Sequence, residues 1–299
     1  MKKTSIGFLI LIVAFFSCAS ETNLSPPSTT PISEEAKIYW YNGTAEITSF
    51  KIQQARYGEV REGYAIMIFV TEDFSTDEFT KADKSKKKTI PVLKLNLTKN
   101  FVTGIYPYSL MTSSFVPFEN FDHALKITTS VQEWCGHVFM EMLRDKKMHY
   151  NISSYFEDEN VKDEQLETAW TEDEIWSMIR LYPESIPTGK QQVVPSFTYL
   201  RLLHKEMKTY SCEIKNEKQD SLHHKLSMNY AELEREVIIK YESAFPRKII
   251  GWSETYPDGF GESKKVLTST GTKIKTIRSD YWTKNKSVDQ SMRKELGLE

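Results

Sequence analysis

Residues 93–98 read LKLNLT, in which Leu93, Leu95 and Leu97 alternate with Lys94, Asn96 and Thr98. Successive side chains of an extended chain point to opposite faces, so this hexapeptide turns three leucines to a core and three polar groups to water. The same period of two recurs along the chain. Leu125, Ile127, Thr129 and Val131 alternate with Lys126, Thr128, Ser130 and Gln132. Leu226, Met228 and Tyr230 alternate with Lys225, Ser227 and Asn229, and Val237, Ile239 and Tyr241 with Ile238, Lys240 and Glu242. YAIMIFV at 64–70 is apolar on both faces and is expected as a central strand. Asn42-Gly43, between IYWY (38–41) and TAEITSFKI (44–52), predicts a tight hairpin, since both residues tolerate the positive φ of a type I′ turn.

Helical signals are few. Thr171 and Glu174 have capping-box spacing and open a segment whose Ile175, Met178, Ile179 and Tyr182 share a face, with Pro183 as its stop. Ser287 and Gln290 form a similar box before a short C-terminal helix carrying Val288, Met292 and Leu296, ended by Gly297. Strands follow one another without helical crossovers, and aromatics make up 12% of the chain, which suits half-buried sheet surfaces. The expected fold is mainly β, a large twisted antiparallel sheet or open barrel with a few short helices.

The N-terminus carries an address. Lys2 and Lys3 precede an apolar run from Ile6 to Phe16, interrupted only by Gly7. That length matches a signal-peptide core and falls short of the ~20 residues a membrane span needs. Cys18 follows directly, with Ser17 before it and Ala19-Ser20 after it, as at a bacterial lipoprotein cleavage site. Phe15 and Phe16 stand where such sites carry Leu and a small residue, and secretory cleavage after Ala19 is the alternative. Residues 19–36, ASETNLSPPSTTPISEEA, cannot bury a core and read as a tether that would span roughly 55 Å in polyproline geometry. A long spacer serves an anchored protein and not a free one, so cysteine and tether support each other. The expected organisation is a signal peptide at 1–17, an acylated Cys18 with tether at 18–36, and one β-rich domain at 37–299 with a helical insert near 171–183. The expected location is the outer membrane, with the membrane, a lipid or an envelope protein as partner.

Loss of the leader removes Lys2 and Lys3 and leaves 37 basic against 41 acidic residues, a balance that gives no reason to expect nucleic acid. Cys135 and Cys212 do not make a disulfide framework and are expected as separate thiols. QEWCGH at 132–137 is the most chemical-looking stretch, because a His-activated Cys is a common nucleophile. Residues i and i+2 of a strand lie about 6.6 Å apart, so Cys135 and His137 would meet only if Gly136 introduced a bulge. The plainer reading, a buried thiol and a separate imidazole, is preferred, because nothing nearby supplies a third member. His223-His224 point to opposite faces and cannot readily share a metal ion. The acidic run 157–174 lacks the spacing of a calcium loop and reads as a solvated loop and helix start. No phosphate loop, Gly-x-Ser-x-Gly elbow or His-Glu-x-x-His helix is present, and no cofactor is implied. Curved open sheets often leave a concave groove; Phe69, Tyr106, Tyr108, Phe115 and Trp134 are the residues expected either to line it or to join the core.

Several stretches, including TAEITSFKIQQARYGEVREGYAIMIFVTEDF (44–74), TGIYPYSLMTSSFVPF (103–118), ALKITTSVQEWCGH (124–137), PSFTYLRLLHKE (195–206) and TKIKTIRSDYWTKN (272–285), together resemble a group of Bacteroidetes lipoproteins that often carry the label "septum formation inhibitor Maf". The resemblance implies an envelope lipoprotein. The label itself would imply a cytosolic nucleotide pyrophosphatase with a Ser-x-Ser-Pro-Arg-Arg loop near its start. Here the only Pro-Arg is Pro246-Arg247, followed by Lys248 and without the serine pair, so no Maf catalytic residue carries over.

Overall fold

The computed structural model describes residues 33–83, 88–119 and 123–298; Cys18 and the tether up to residue 32 lie outside them. The described chain opens with a helix, α1 (Glu34–Trp40), and enters β1 (Ala45–Arg56). It then runs outward through β2 (Glu59–Ser75), β3 (Thr80–Lys81), β4 (Thr89–Thr103), β5 (Tyr106–Pro117), β6 (Lys126–Glu133), β7 (Gly136–Arg144), β8 (Met148–Ser154) and β9 (Val161–Leu166). The chain continues through β10 (Trp170–Thr171), helix α2 (Glu172–Leu181), β11 (Gly189–Val194), helix α3 (Phe197–Leu202), β12 (Tyr210–Lys218), β13 (His223–Tyr230), β14 (Arg235–Glu242), β15 (Ile249–Asp258) and β16 (Lys265–Ser279), ending in α4 (Ser291–Glu295).

These strands form one sheet in the order β10-β11-β12-β13-β14-β15-β16-β1-β2-β4-β5-β6-β7-β8-β9, with β3 beside β2. All pairs are antiparallel except β10 with β11. The first strand lies in the middle, and the last returns to pair with it, Ala45 opposite Ser279. Only residues 167–169 separate the two edge strands β9 and β10 in sequence, yet no ladder joins them. The sheet therefore curls round on itself without closing.

LKLNLT lies in β4, and the other alternating stretches lie in β6, β13 and β14. YAIMIFV lies in β2, next to the middle strand β1, with both faces covered. Its Ala65, Met67 and Phe69 join the main core, while Ile66 and Ile68 pack outside with Ala45, Ile47 and Leu296 of the C-terminal segment. That segment ends as expected, with Gly297 at φ +66°. Val288, expected on its apolar face, is instead exposed.

Two expectations are corrected. Asn42-Gly43 does not join two strands: residues 34–40 are helical, because Ser33 Oγ accepts from Ala36 N–H and Glu34 and Glu35 favour the positive helix N-terminus. Asn42 Oδ1 instead accepts from the N–H and hydroxyl of Thr44, turning α1 into β1. The folded region thus starts before residue 37. The helix expected near 171–183 is present as α2, and all ten of its residues are buried. The acidic run is not a solvated loop throughout, since it contains β9 and the buried acidic start of α2.

Burial of an acidic helix start demands partners. Glu172 accepts two bonds from Arg235, at 2.5 and 2.7 Å, and one from Tyr230 Oη at 3.0 Å. Arg235 also reaches Glu254, which Lys99 of β4 contacts at 3.2 Å. Glu174 accepts from the N–H of Thr171 and faces His123 at 3.1 Å; burial opposes its ionisation, but Arg144 and His123 hold its pKa at about 2. At the other end, Arg180 grips Glu46 of β1 at 2.6 and 2.8 Å. Removing one member of such a pair strands a charge. Arg235→Met is expected to lower unfolding free energy by about 3–5 kcal/mol, and Glu172→Leu combined with Arg235→Met to recover most of it. Urea denaturation of both variants checks this; equal loss in the double variant would contradict it.

Asp173 differs, because its counterpart is the N–H of Phe197 at 2.9 Å and no direct cation. Burial, with Glu172 adding repulsion, raises its pKa from 3.8 to about 7. An acid whose folded pKa is raised holds its proton better when folded, so its contribution to stability is lost as pH rises from about 4 to about 7. Asp173→Asn keeps an acceptor without the charge. It is expected to be more stable than the parent at pH 8, by up to about 4 kcal/mol, with the difference vanishing near pH 4. Unfolding midpoints at the two pH values test this.

Candidate functional site

Where the sheet fails to close, a cleft of about 770 Å³ opens. One wall comes from β7, β8 and β9 through Val138, Met140, Tyr150, Ile152 and Val161, with residues 157–160 of the β8–β9 turn above them. The other comes from α3 and the connection to β12, through Leu200, Arg201, His204, Lys205 and Met207. The period of two that builds β7 and β8 turns Val138, Met140 and Tyr150 inward, where they belong to the main core and form the floor of the cleft. β9 keeps only its ends, Val161 and Leu166, against the core, while Lys162, Asp163, Glu164 and Gln165 between them are exposed, a polar edge of the kind that blocks further strand pairing.

The α3 wall is held from inside the barrel. Asp173 receives the Phe197 N–H, Thr198 Oγ1 lies 3.2 Å from Thr112 Oγ1, and Arg56 donates to the carbonyl of Leu202. Arg56 also donates to Tyr108 Oη (3.2 Å) and Tyr57 Oη (3.1 Å). Arg201 is 5% exposed, and its guanidinium lies 4.2 Å over the ring of Phe156. Glu159 spans the cleft, accepting from Ser154 Oγ at 2.7 Å and pairing with His204 Nδ1. A second hollow of about 580 Å³ lies on the far side of His204 and Lys205, against Arg56, Tyr199 and the 257–261 turn.

Large side chains crowd the neighbouring hairpin tips. Tyr57 contacts Phe260, and its hydroxyl lies 2.8 Å from Tyr108 Oη. Tyr106 stacks on Trp134 at 6.0 Å. A Cβ on Gly136 would fall 2.8 Å from the ring of Tyr155, so glycine is what lets these tips approach. Ile105, Trp134, Tyr155 and Phe260 stand exposed, forming an apolar rim.

The five residues expected at a groove do not line the main cleft. Phe69 is core, 1% exposed beneath the Arg180 guanidinium. Tyr108 is also core, stacked on Phe101, and Phe115 packs on Phe74. Tyr106 and Trp134 belong to the rim, Trp134 being 67% exposed. The cleft residues come from distant segments, and the local trace of them in the sequence is an arginine amid the apolar TYLRLL.

Cys135 and His137 are not joined by a hydrogen bond. Trp134-Cys135 form a two-residue turn, closed by Glu133 opposite Gly136 without a bulge, and His137 sits across from Gln132 on the exposed face. Cys135 is exposed rather than buried, its N–H donates to Glu133 at 2.6 Å, and that carboxylate raises the thiol pKa. Activation requires the opposite shift. Cys212 is the buried thiol, which burial pushes up to about 12, and neither cysteine is in a disulfide. His223 bonds Asp220 and His224 lies against Tyr241; among the described residues no group of three His, Cys, Asp or Glu is placed to hold a metal ion. Alkylation of Cys135 by iodoacetamide at pH 8 is expected to be slower than that of an unstructured cysteine, and Glu133→Gln to accelerate it. An unchanged rate in the variant would refute this role of Glu133.

No protein-family model and no curated protein matches the chain. Among solved structures, the chain is similar to a β-barrel-like protein of domain of unknown function DUF1849 from Brucella abortus, at 7% identity and a TM-score of 0.41, over 79% of this chain and 98% of that one. Among the described residues no helix is long and apolar enough to cross a membrane.

Proposed function

We propose that this chain is a cell-envelope lipoprotein, anchored to the outer membrane through acylated Cys18, whose unclosed β domain binds an amphiphilic ligand without catalysis. The seam cleft carries this reading. Its volume lies in the range of small-molecule sites, and it joins apolar side chains (Val138, Met140, Ile152, Leu200, Met207) to charged and polar groups on both walls, the amphiphilic lining such a ligand requires. The paired carboxylates and arginines inside the sheet are committed to one another and support α2. The leader, Cys18 and the Pro/Ser/Thr-rich stretch supply the tether.

The apolar rim favours a second reading, a docking surface for an envelope protein, because exposed aromatics clustered at one set of turns suit a partner. Two measurements separate the possibilities. Cys18→Ala is expected to move the protein from the membrane fraction to the soluble one. Organic extraction of that soluble form, followed by mass spectrometry, is expected to yield an amphiphile at about one per chain; a folded sample carrying nothing would remove the carrier reading and leave the rim.

A further inference from the structure

Arg201 is the exception among the buried arginines. Arg56 donates to two tyrosines and a carbonyl, Arg144 to the Ala169 carbonyl, Arg180 to Glu46 and Arg235 to Glu172 and Glu254. Among the described residues, Nε and Nη1 of Arg201 are buried and lack any hydrogen-bond partner. Only the Phe156 ring faces the guanidinium closely. Glu159 lies near enough to attract it, but its oxygens are engaged by Ser154 and His204, and Glu133 uses an oxygen on the Cys135 N–H. Burial, and then the charge of Arg56, lower the pKa of Arg201, while Glu159 opposes them. Buried donors without acceptors are costly, and a planar guanidinium is shaped to bind a two-oxygen anion.

We propose that Arg201 receives the anionic head, carboxylate or phosphate, of an amphiphile whose hydrocarbon chain lies in the seam cleft. The inference rests on the reading of the cleft as a ligand site. Val138, Met140, Ile152, Leu200 and Met207 line the same cleft and supply the apolar wall for the chain. Glu157, Asp158, Glu164 and Glu206 outnumber Lys162 and Lys205 on the same lining and oppose a small hydrophilic anion, so the hydrocarbon is needed for retention. Phe156 holds the guanidinium plane, and Ser154 and His204 keep Glu159 from neutralising it.

The test is isothermal titration of the full chain, released by Cys18→Ala, with oleate, oleyl phosphate and oleyl alcohol below their aggregation concentrations. At least one anion is expected to bind about tenfold or more tightly than the alcohol. Arg201→Met is expected to erase that preference while leaving alcohol binding unchanged. Glu159→Gln, which removes the competing charge, is expected to tighten binding of the anions and serves if Arg201→Met fails to fold. Oleate preferred over oleyl phosphate identifies a carboxylate head, and the reverse a phosphate head. Equal binding of all three, or a preference that survives Arg201→Met, overturns the role of Arg201 and leaves the cleft standing. Binding of none of the three overturns the inference and counts against the cleft itself.

Discussion

Glu172, Asp173, Glu174 and Arg180 sit on a ten-residue helix that solvent scarcely reaches, and such a helix is stable only where the surroundings bring opposite charge to it. The sheet does this from both halves. Glu46 of β1 meets Arg180, Arg235 of β14 meets Glu172, and Lys99 of β4 with Glu254 of β15 extends the second network. Apolar contacts would hold the helix inside the curl at many rotations and depths. The bidentate pairs have few satisfactory geometries, and so fix its position along the barrel. Through Asp173 and Phe197 that position passes to α3.

The same helix bears on the open seam. Chain leaving β9 goes directly into β10 and then inward as α2, so the segment that might have zipped the two edges together is used to fill the interior. With the middle of β9 polar and exposed, the gap is bridged by side chains such as Glu159 and His204 in place of a ladder. Those side chains enclose a cleft whose floor is core-like and whose α3 wall carries a cation without an acceptor. The floor residues are themselves buried, and the open seam leaves a hollow against them.

The rim shows how local chemistry acquires meaning from its neighbours. Trp134, Tyr155 and Ile105 each read as an isolated apolar residue in a turn, which is ordinary on protein surfaces. Consecutive antiparallel hairpins bring their turns side by side, and the Tyr106–Trp134 stack and the approach of Gly136 to Tyr155 join them. Cys135 is caught in this pattern as a turn residue beside Glu133, which explains why a Cys-Gly-His sequence does not become a nucleophile pair.

Strand content was legible because alternation is a local consequence of the pleat: a leucine every second residue in β4 can be satisfied only by one buried face. The capping spacing of α2 and the C-terminal stop at Gly297 were legible for the same reason, each depending on a few adjacent residues. The turn at Asn42-Gly43 was misread because its apolar flank, IYWY, belongs to a helix whose Trp40 is buried against Phe69, a contact absent from any window of the sequence. The site was hidden more completely. Val138, Glu159 and Arg201 are separated by tens of residues, and whether a charge is solvated or stranded depends on what surrounds it in space. The strands and the start of the buried helix follow from neighbouring residues, because pleat and helix cap are satisfied locally. That the helix lies inside, that the sheet stops short of closure, and that Nε and Nη1 of Arg201 meet no acceptor among the described residues are settled by the fold, because burial depends on the whole chain.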